Sequence, residues 1–154
     1  MKAPAFDLLG VDGKRHSLAT ARGENGLVVM FICNHCPYVK KSIDRIVSDG
    51  RALATKGIGS IAVMSNDPAY NAEDSFDNMK RVARDKGFPF PYVLDETQDV
   101  ARAYDAVCTP DFFGFDSNLE LRYHGRLDEL VQAMTVAAPA KPINSIGCSI
   151  KWKK

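Results

Sequence analysis

The sequence predicts a mixed α/β fold, a central β-sheet covered by helices on both faces, and three observations lead there. Residues 27–32 (LVVMFI) and 60–65 (SIAVMS) are short, continuous apolar runs rich in β-formers, as strands buried on both faces require. Each run is followed by apolar residues at helical spacing. Turn signals with apolar flanks near both ends of the chain add hairpins, and the order reads β–β–β–α–β–α–β–α–β–β–α.

Taken in order, residues 6–18 form the N-terminal hairpin, with Asp12-Gly13 as its turn. The 27–32 strand sits at the sheet centre. The helix behind it carries Val39, Ile43, Ile46, Val47 and Leu53 on one side, takes Pro37 in its first turn and stops at Lys56-Gly57. After the second strand, Asn66-Asp67-Pro68 opens a polar loop. Phe76, Met79, Val82 and Ala83 mark a helix ending at Gly87, and a short strand follows at Tyr92–Leu94. Val100, Ala101, Tyr104 and Val107 predict a short helix. Residues 112–115 and 121–124 pair across Asp116-Ser117-Asn118, and a last helix lies near 127–137. The tail, 139–154, holds two prolines and a glycine and reads as irregular. No composition shift divides the chain, so 154 residues are expected to form a single domain with an ample core.

Composition narrows the function. Lysine and arginine number 20 against 19 aspartates and glutamates, so no field favours nucleic acid or an anionic membrane. Nothing approaches the ~20 apolar residues of a membrane span, and the N-terminus lacks the apolar run of an export signal. The expected location is the cytoplasm. Four cysteines are too few for a disulfide scaffold, and C-x-x-C in such a chain points to redox or metal chemistry.

That motif is Cys33-Asn34-His35-Cys36, where the central strand meets its helix. Free backbone N–H groups and the positive end of the helix dipole favour a thiolate there. The spacing brings the second sulfur within bonding reach of the first, which describes a redox dithiol. An imidazolium at His35 would stabilise a Cys33 thiolate and make the pair more oxidising; the alternative is a solvated residue in a first helical turn.

The CNHCPYVK junction, the later Cys108-Thr109-Pro110-Asp111 before a strand, and the closing hairpin and helix resemble the thioredoxin superfamily. The N-terminal APAFDLLGVDGKRHSL and the segment before FPFPYVLDE resemble its redoxin branch, related to alkyl hydroperoxide reductase and thiol-specific antioxidant proteins. The resemblance implies a thioredoxin-like fold with an N-terminal β-hairpin extension. It makes Cys33 the nucleophile, Cys36 the resolving thiol, and Pro110 a cis-proline whose loop faces them. The chain also departs from its relatives. Asn34-His35 replaces the Gly-Pro of thioredoxins, and Leu27 stands where they bury an aspartate, leaving Asp67 or Asp95 as candidate proton acceptors for Cys36. The Pro-x-x-x-Thr-x-x-Cys of peroxiredoxins is absent, with Met30 and Gly26 in its places before Cys33.

The expected activity is thiol–disulfide exchange on a protein or small-molecule disulfide or thiol, recharged by an external thiol reductant, with no cofactor and no metal. The alternatives are a thiol-dependent peroxidase with Cys33 as the oxidised sulfur, with Arg126 approaching from elsewhere in the fold as a donor, and a metal-binding module. In the last, His35, Cys108 or Cys148 would complete a site on Cys33 and Cys36, although structural zinc sites usually present two such pairs. Cys108 is either a small buried apolar residue or a third redox partner. Cys148 is either an exposed thiol or a resolving one on a tail anchored by Trp152. His16 and His124 read as surface or pairing residues, and Phe112, Phe113 and Phe115 as core.

Overall fold

The computed structural model describes residues 1–135 and 148–153. The N-terminal hairpin is β1 (Asp7–Gly10) and β2 (Arg15–Ser17), paired antiparallel. Gly13 takes φ +79° at the turn, a conformation that a side chain would strain. A one-turn helix follows, α1 (Leu18–Ala21), which the sequence reading did not anticipate. Its signal is Thr20, whose hydroxyl accepts the Ser17 N–H at 2.8 Å and nucleates the turn.

The central strand, β3 (Gly26–Phe31), is buried at every residue. It leads to α2 (Pro37–Thr55), a 19-residue helix ended by Gly57 at φ +74°. Next come β4 (Ile58–Met64), α3 (Phe76–Asp85), β5 (Tyr92–Leu94) and α4 (Asp99–Ala103). The chain continues through β6 (Cys108–Thr109), β7 (Asp111–Phe115), β8 (Leu121–Gly125), α5 (Leu130–Thr135) and β9 (Cys148–Ser149). Among the described residues the main sheet runs β2-β1-β5-β4-β3-β7-β8, with β3 parallel to β4 and antiparallel to β7.

Alternation along β3 divides the core in two. Val28, Met30 and Ile32 face Val39, Ile43, Ile46 and Leu53 of α2, together with Met79 of α3 and Leu130 of α5. Leu27, Val29 and Phe31 face the other way, against Phe113, Phe115 and the α4 residues Val100 and Ala101, with Tyr104 beyond them. Burying each such side chain stabilises the fold by roughly 1.5–3 kcal/mol. Helices therefore cover both faces, as expected, and the three phenylalanines are core. Among the described residues no helix is long and apolar enough to cross a membrane.

Two expectations need correction. Val107 is 61% exposed rather than part of an apolar helical stripe, because α4 ends at Ala103 and Asp105 turns to φ 57°. The tail expected to be irregular lies outside the described residues at 139–147 and 154, but its part at 148–153 is ordered. There β9 pairs with β6, placing Thr109 opposite Cys148, and Ile150 is buried in the second core cluster. The Arg102 guanidinium lies 5.1 Å from the Trp152 ring, so Trp152 does anchor this segment.

Candidate active site

Strand β3 ends two residues before Cys33, and Cys36 caps α2, with Pro37 in the first helical position where its missing N–H costs nothing. Against this junction lies Thr109, whose bond to Pro110 is cis. The Thr109 hydroxyl is 3.4 Å from Cys33 Sγ, and its carbonyl oxygen is 3.5 Å from Cys36 Sγ. The Thr109-Pro110 segment thus faces both sulfurs. Both cysteines are buried, Cys33 at 2% and Cys36 at 0% exposure. It is Cys33, however, that lines a groove to solvent, together with Val39, Lys40, Ile43 and Arg81.

The helix tip does not favour a Cys33 thiolate as position in the sequence suggested. The N–H groups of Tyr38 and Val39 point at Cys36 instead. Burial opposes a thiolate on Cys36, yet these donors, the Cys148 thiol and the Cys148 N–H outweigh it and hold Cys36 below the ordinary thiol range. Burial pushes Cys33 up to about 12; the Thr109 hydroxyl and Cys36 N–H pull it down, while the Asp74 charge pushes it further up.

Asp74 was not among the residues singled out from the sequence. It sits in a 3₁₀ turn (Ala72–Asp74) after the polar loop and is 1% exposed. One carboxylate oxygen accepts the N–H groups of Asn34 (2.7 Å) and His35 (3.3 Å). The other takes Asn66 Nδ2 at 3.2 Å and a short hydrogen bond from His35 Nδ1. His35 is therefore paired with a carboxylate rather than solvated. Cys33 Sγ, a His35 ring nitrogen and an Asp74 oxygen all lie within 4.8 Å of one another. Asn34 is held in turn, its amide donating to the Glu73 carbonyl at 2.8 Å and accepting the Tyr92 hydroxyl at 2.8 Å. The only sequence signal for Asp74 was an acidic residue beside the N-cap Ser75.

Cys33, His35 and Asp74 supply sulfur, nitrogen and oxygen donors of the kind zinc accepts. Four protein donors already occupy the Asp74 carboxylate, so an ion would have to displace some of them. The candidate acceptors Asp67 and Asp95 are engaged elsewhere. Asp67 accepts the Ala69 N–H, and Asp95 accepts Ser65 Oγ and the Val100 and Ala101 N–H groups at the start of α4.

Cys108 adjoins Thr109 on β6, so strand alternation turns its side chain to the opposite face. Cys148 is the cysteine brought to the site: its Sγ lies 2.8 Å from Cys36 Sγ. Arg126 lines a second groove with Tyr38, Pro110 and Phe112. His16 and His124 pair with Asp12 and Asp111, each at 3.0 Å, as expected of them.

A C-x-x-C junction between a central strand and a long helix, facing a cis-proline segment, defines a thioredoxin-like fold of the redoxin type. The AhpC/TSA family model matches residues 1–124, and the chain belongs to the AhpC/TSA family. Redox chemistry is the general class that goes with that membership. The chain is similar to an uncharacterized conserved protein from Geobacillus kaustophilus, with 42% identity and TM-score 0.91 over 99% of this chain and 91% of that one. A hypothetical protein from Sinorhizobium meliloti 1021 is 31% identical, with TM-score 0.94 over 99% and 93% of the two chains. A thiol:disulfide interchange protein of the thioredoxin family from Chlorobium tepidum shares the fold at 23% identity and TM-score 0.65, over 79% of this chain and 81% of that one. No curated protein matches.

Proposed function

We propose that the protein is a thiol–disulfide oxidoreductase working through Cys33 and Cys36. The observation that carries this reading is that both sulfurs lie against one residue, Thr109, beside grooves open to a substrate. Cys33 faces the groove and meets the substrate disulfide; Cys36, enclosed behind it, resolves the mixed disulfide. Because burial keeps Cys33 protonated at rest, attack needs a proton acceptor. The His35–Asp74 pair is placed for that role, as an imidazole oriented by a carboxylate. The substrate is a protein or small-molecule disulfide, an external thiol recharges the pair, and the cytoplasm is the compartment whose thiol pool suits that cycle.

Peroxide reduction is the second reading, favoured by the Thr109 hydroxyl beside Cys33. Against it, Met30 is buried and apolar where a donor is needed. Insulin reduction with dithiothreitol, run beside stopped-flow oxidation by hydrogen peroxide, tests the choice. Catalysed insulin reduction that is lost in Cys33→Ser, with peroxide reacting no faster than with a simple thiolate, is the expected result. Rapid peroxide consumption without insulin reduction would overturn it.

A further inference from the structure

We infer that Cys148 is a third redox thiol, to which the Cys33–Cys36 disulfide is passed on to give a Cys36–Cys148 disulfide and a reduced Cys33. The inference rests on the dithiol reading above and adds a residue and a step to it.

Three observations converge. First, Cys36 Sγ and Cys148 Sγ lie 2.8 Å apart, against about 2.05 Å for a covalent S–S bond, so closure needs a shift of less than one ångström. Second, the approach is directed by backbone: β9 pairs with β6 with Cys148 opposite Thr109, and the Cys148 N–H also points at the Cys36 sulfur. Thr109 is the residue that touches Cys33 and Cys36, so one strand pair presents both the docking segment and the third thiol. Third, the chain beyond Cys148 is pinned. Ile150 N–H donates to the Val107 carbonyl at 2.8 Å, and Lys151 N–H to Asn66 Oδ1 at 3.0 Å. Gln98 Nε2 donates to the Lys151 carbonyl at 2.8 Å, and Gln98 Oε1 accepts the Lys153 N–H at 2.8 Å. Asn66 also contacts Asp74, so the same polar network positions both ends of the sulfur row.

The order is Cys33 at the groove, Cys36 fully buried beside it and Cys148, partly exposed, on the far side of Cys36. Cys33 attacks a substrate disulfide, forming a mixed disulfide and releasing one substrate thiol. Cys36 attacks Cys33 Sγ and releases the second. Cys148 then attacks Cys36 Sγ; the Cys36–Cys148 bond forms, the Cys33–Cys36 bond breaks, and Cys33 leaves with the electron pair. The proton given up by Cys148 is taken by Cys33, which burial keeps as a thiol. The last step is internal, with no net oxidation, and the two electrons have already gone to the substrate. An external thiol reopens the bond at the partly exposed Cys148, since Cys36 itself is fully buried.

Trypsin separates the possible products. Residues 23–40 carry both Cys33 and Cys36, whereas Cys148 lies on 127–151, because Pro142 protects Lys141 from cleavage. The reduced full-length protein is oxidised with glutathione disulfide, quenched in acid, alkylated with iodoacetamide and mapped by fragment mass spectrometry. The expected main product joins 23–40 to 127–151 through Cys36, with Cys33 alkylated. In Cys33→Ser, checked for native fold by circular dichroism, the same link should form at least tenfold more slowly, because the entry thiol is gone. A disulfide confined to 23–40 with Cys148 alkylated, a Cys33–Cys148 link, or an undiminished rate in Cys33→Ser each overturns the relay. Insulin reduction without the link overturns the relay and leaves the dithiol reading standing. Absence of both overturns both.

Discussion

Replacing Asp74 with asparagine removes one negative charge beside Cys33 at almost constant volume. The charge and the sulfur lie within 4.8 Å. At that separation and an effective dielectric of about 20, the repulsion between carboxylate and thiolate is about 3.5 kcal/mol. Four donors already spread the Asp74 charge, which reduces this figure. Converted at about 1.36 kcal/mol per pH unit, the Cys33 midpoint should fall from about 12 toward about 10. Alkylation of Cys33 by iodoacetamide at pH ~8, assigned by fragment mass spectrometry, should then rise about tenfold to a hundredfold. Asparagine keeps a carbonyl for the Asn34 N–H, so the stability loss should stay near about 1–3 kcal/mol. Insulin reduction should nevertheless fall, because the His35–Asp74 acceptor pair is broken. Alkylation and turnover moving in opposite directions would mark Asp74 as part of a base; both rising together would refute that role and leave only a repulsive charge.

Three further outcomes are expected. His35→Gln keeps a polar side chain next to Asp74 but cannot take a proton, and insulin reduction should drop by about 10²–10⁴-fold with little change in thermal midpoint; an unchanged rate would make His35 a bystander. Tyr92→Phe removes the buried hydroxyl that donates to Asn34 at 2.8 Å, and should cost about 1 kcal/mol, roughly 2–4 °C in melting temperature by calorimetry. The hydrogen bond to Asp111 raises His124 above its usual value, against burial and with help from the Asp111 and Asp105 charges. Its stabilising contribution is therefore full below the unfolded value near about pH 6.5 and lost as pH rises through the higher folded value. The difference in unfolding free energy between wild type and His124→Gln, from urea titrations, should shrink from about pH 5.5 to about pH 8.5, and stay within about 1 kcal/mol because the His124 side chain is 39% exposed.

Local chemistry determined much of this protein. Residues 27–32 could hardly be anything but a central strand, since six apolar residues in a row satisfy two buried faces at once. Helix α2 was visible in its apolar spacing, Pro37 and Gly57, and the first hairpin in Asp12-Gly13. The C-x-x-C pair and the cis bond before Pro110 were legible from motifs whose partners adjoin in sequence or from family resemblance. What stayed hidden depends on contacts across long separations. Asp74 is some forty residues from His35, and an acidic residue in a polar loop carries no mark of where its carboxylate will be buried. Cys148 is 112 residues from Cys36, and a two-residue strand has too little periodicity to announce itself. The thiol electrostatics were misjudged for the same reason. A helix tip favours a thiolate in general, but which sulfur receives its N–H groups, and which is pressed against a carboxylate, was decided only when the strands and the tail had packed together.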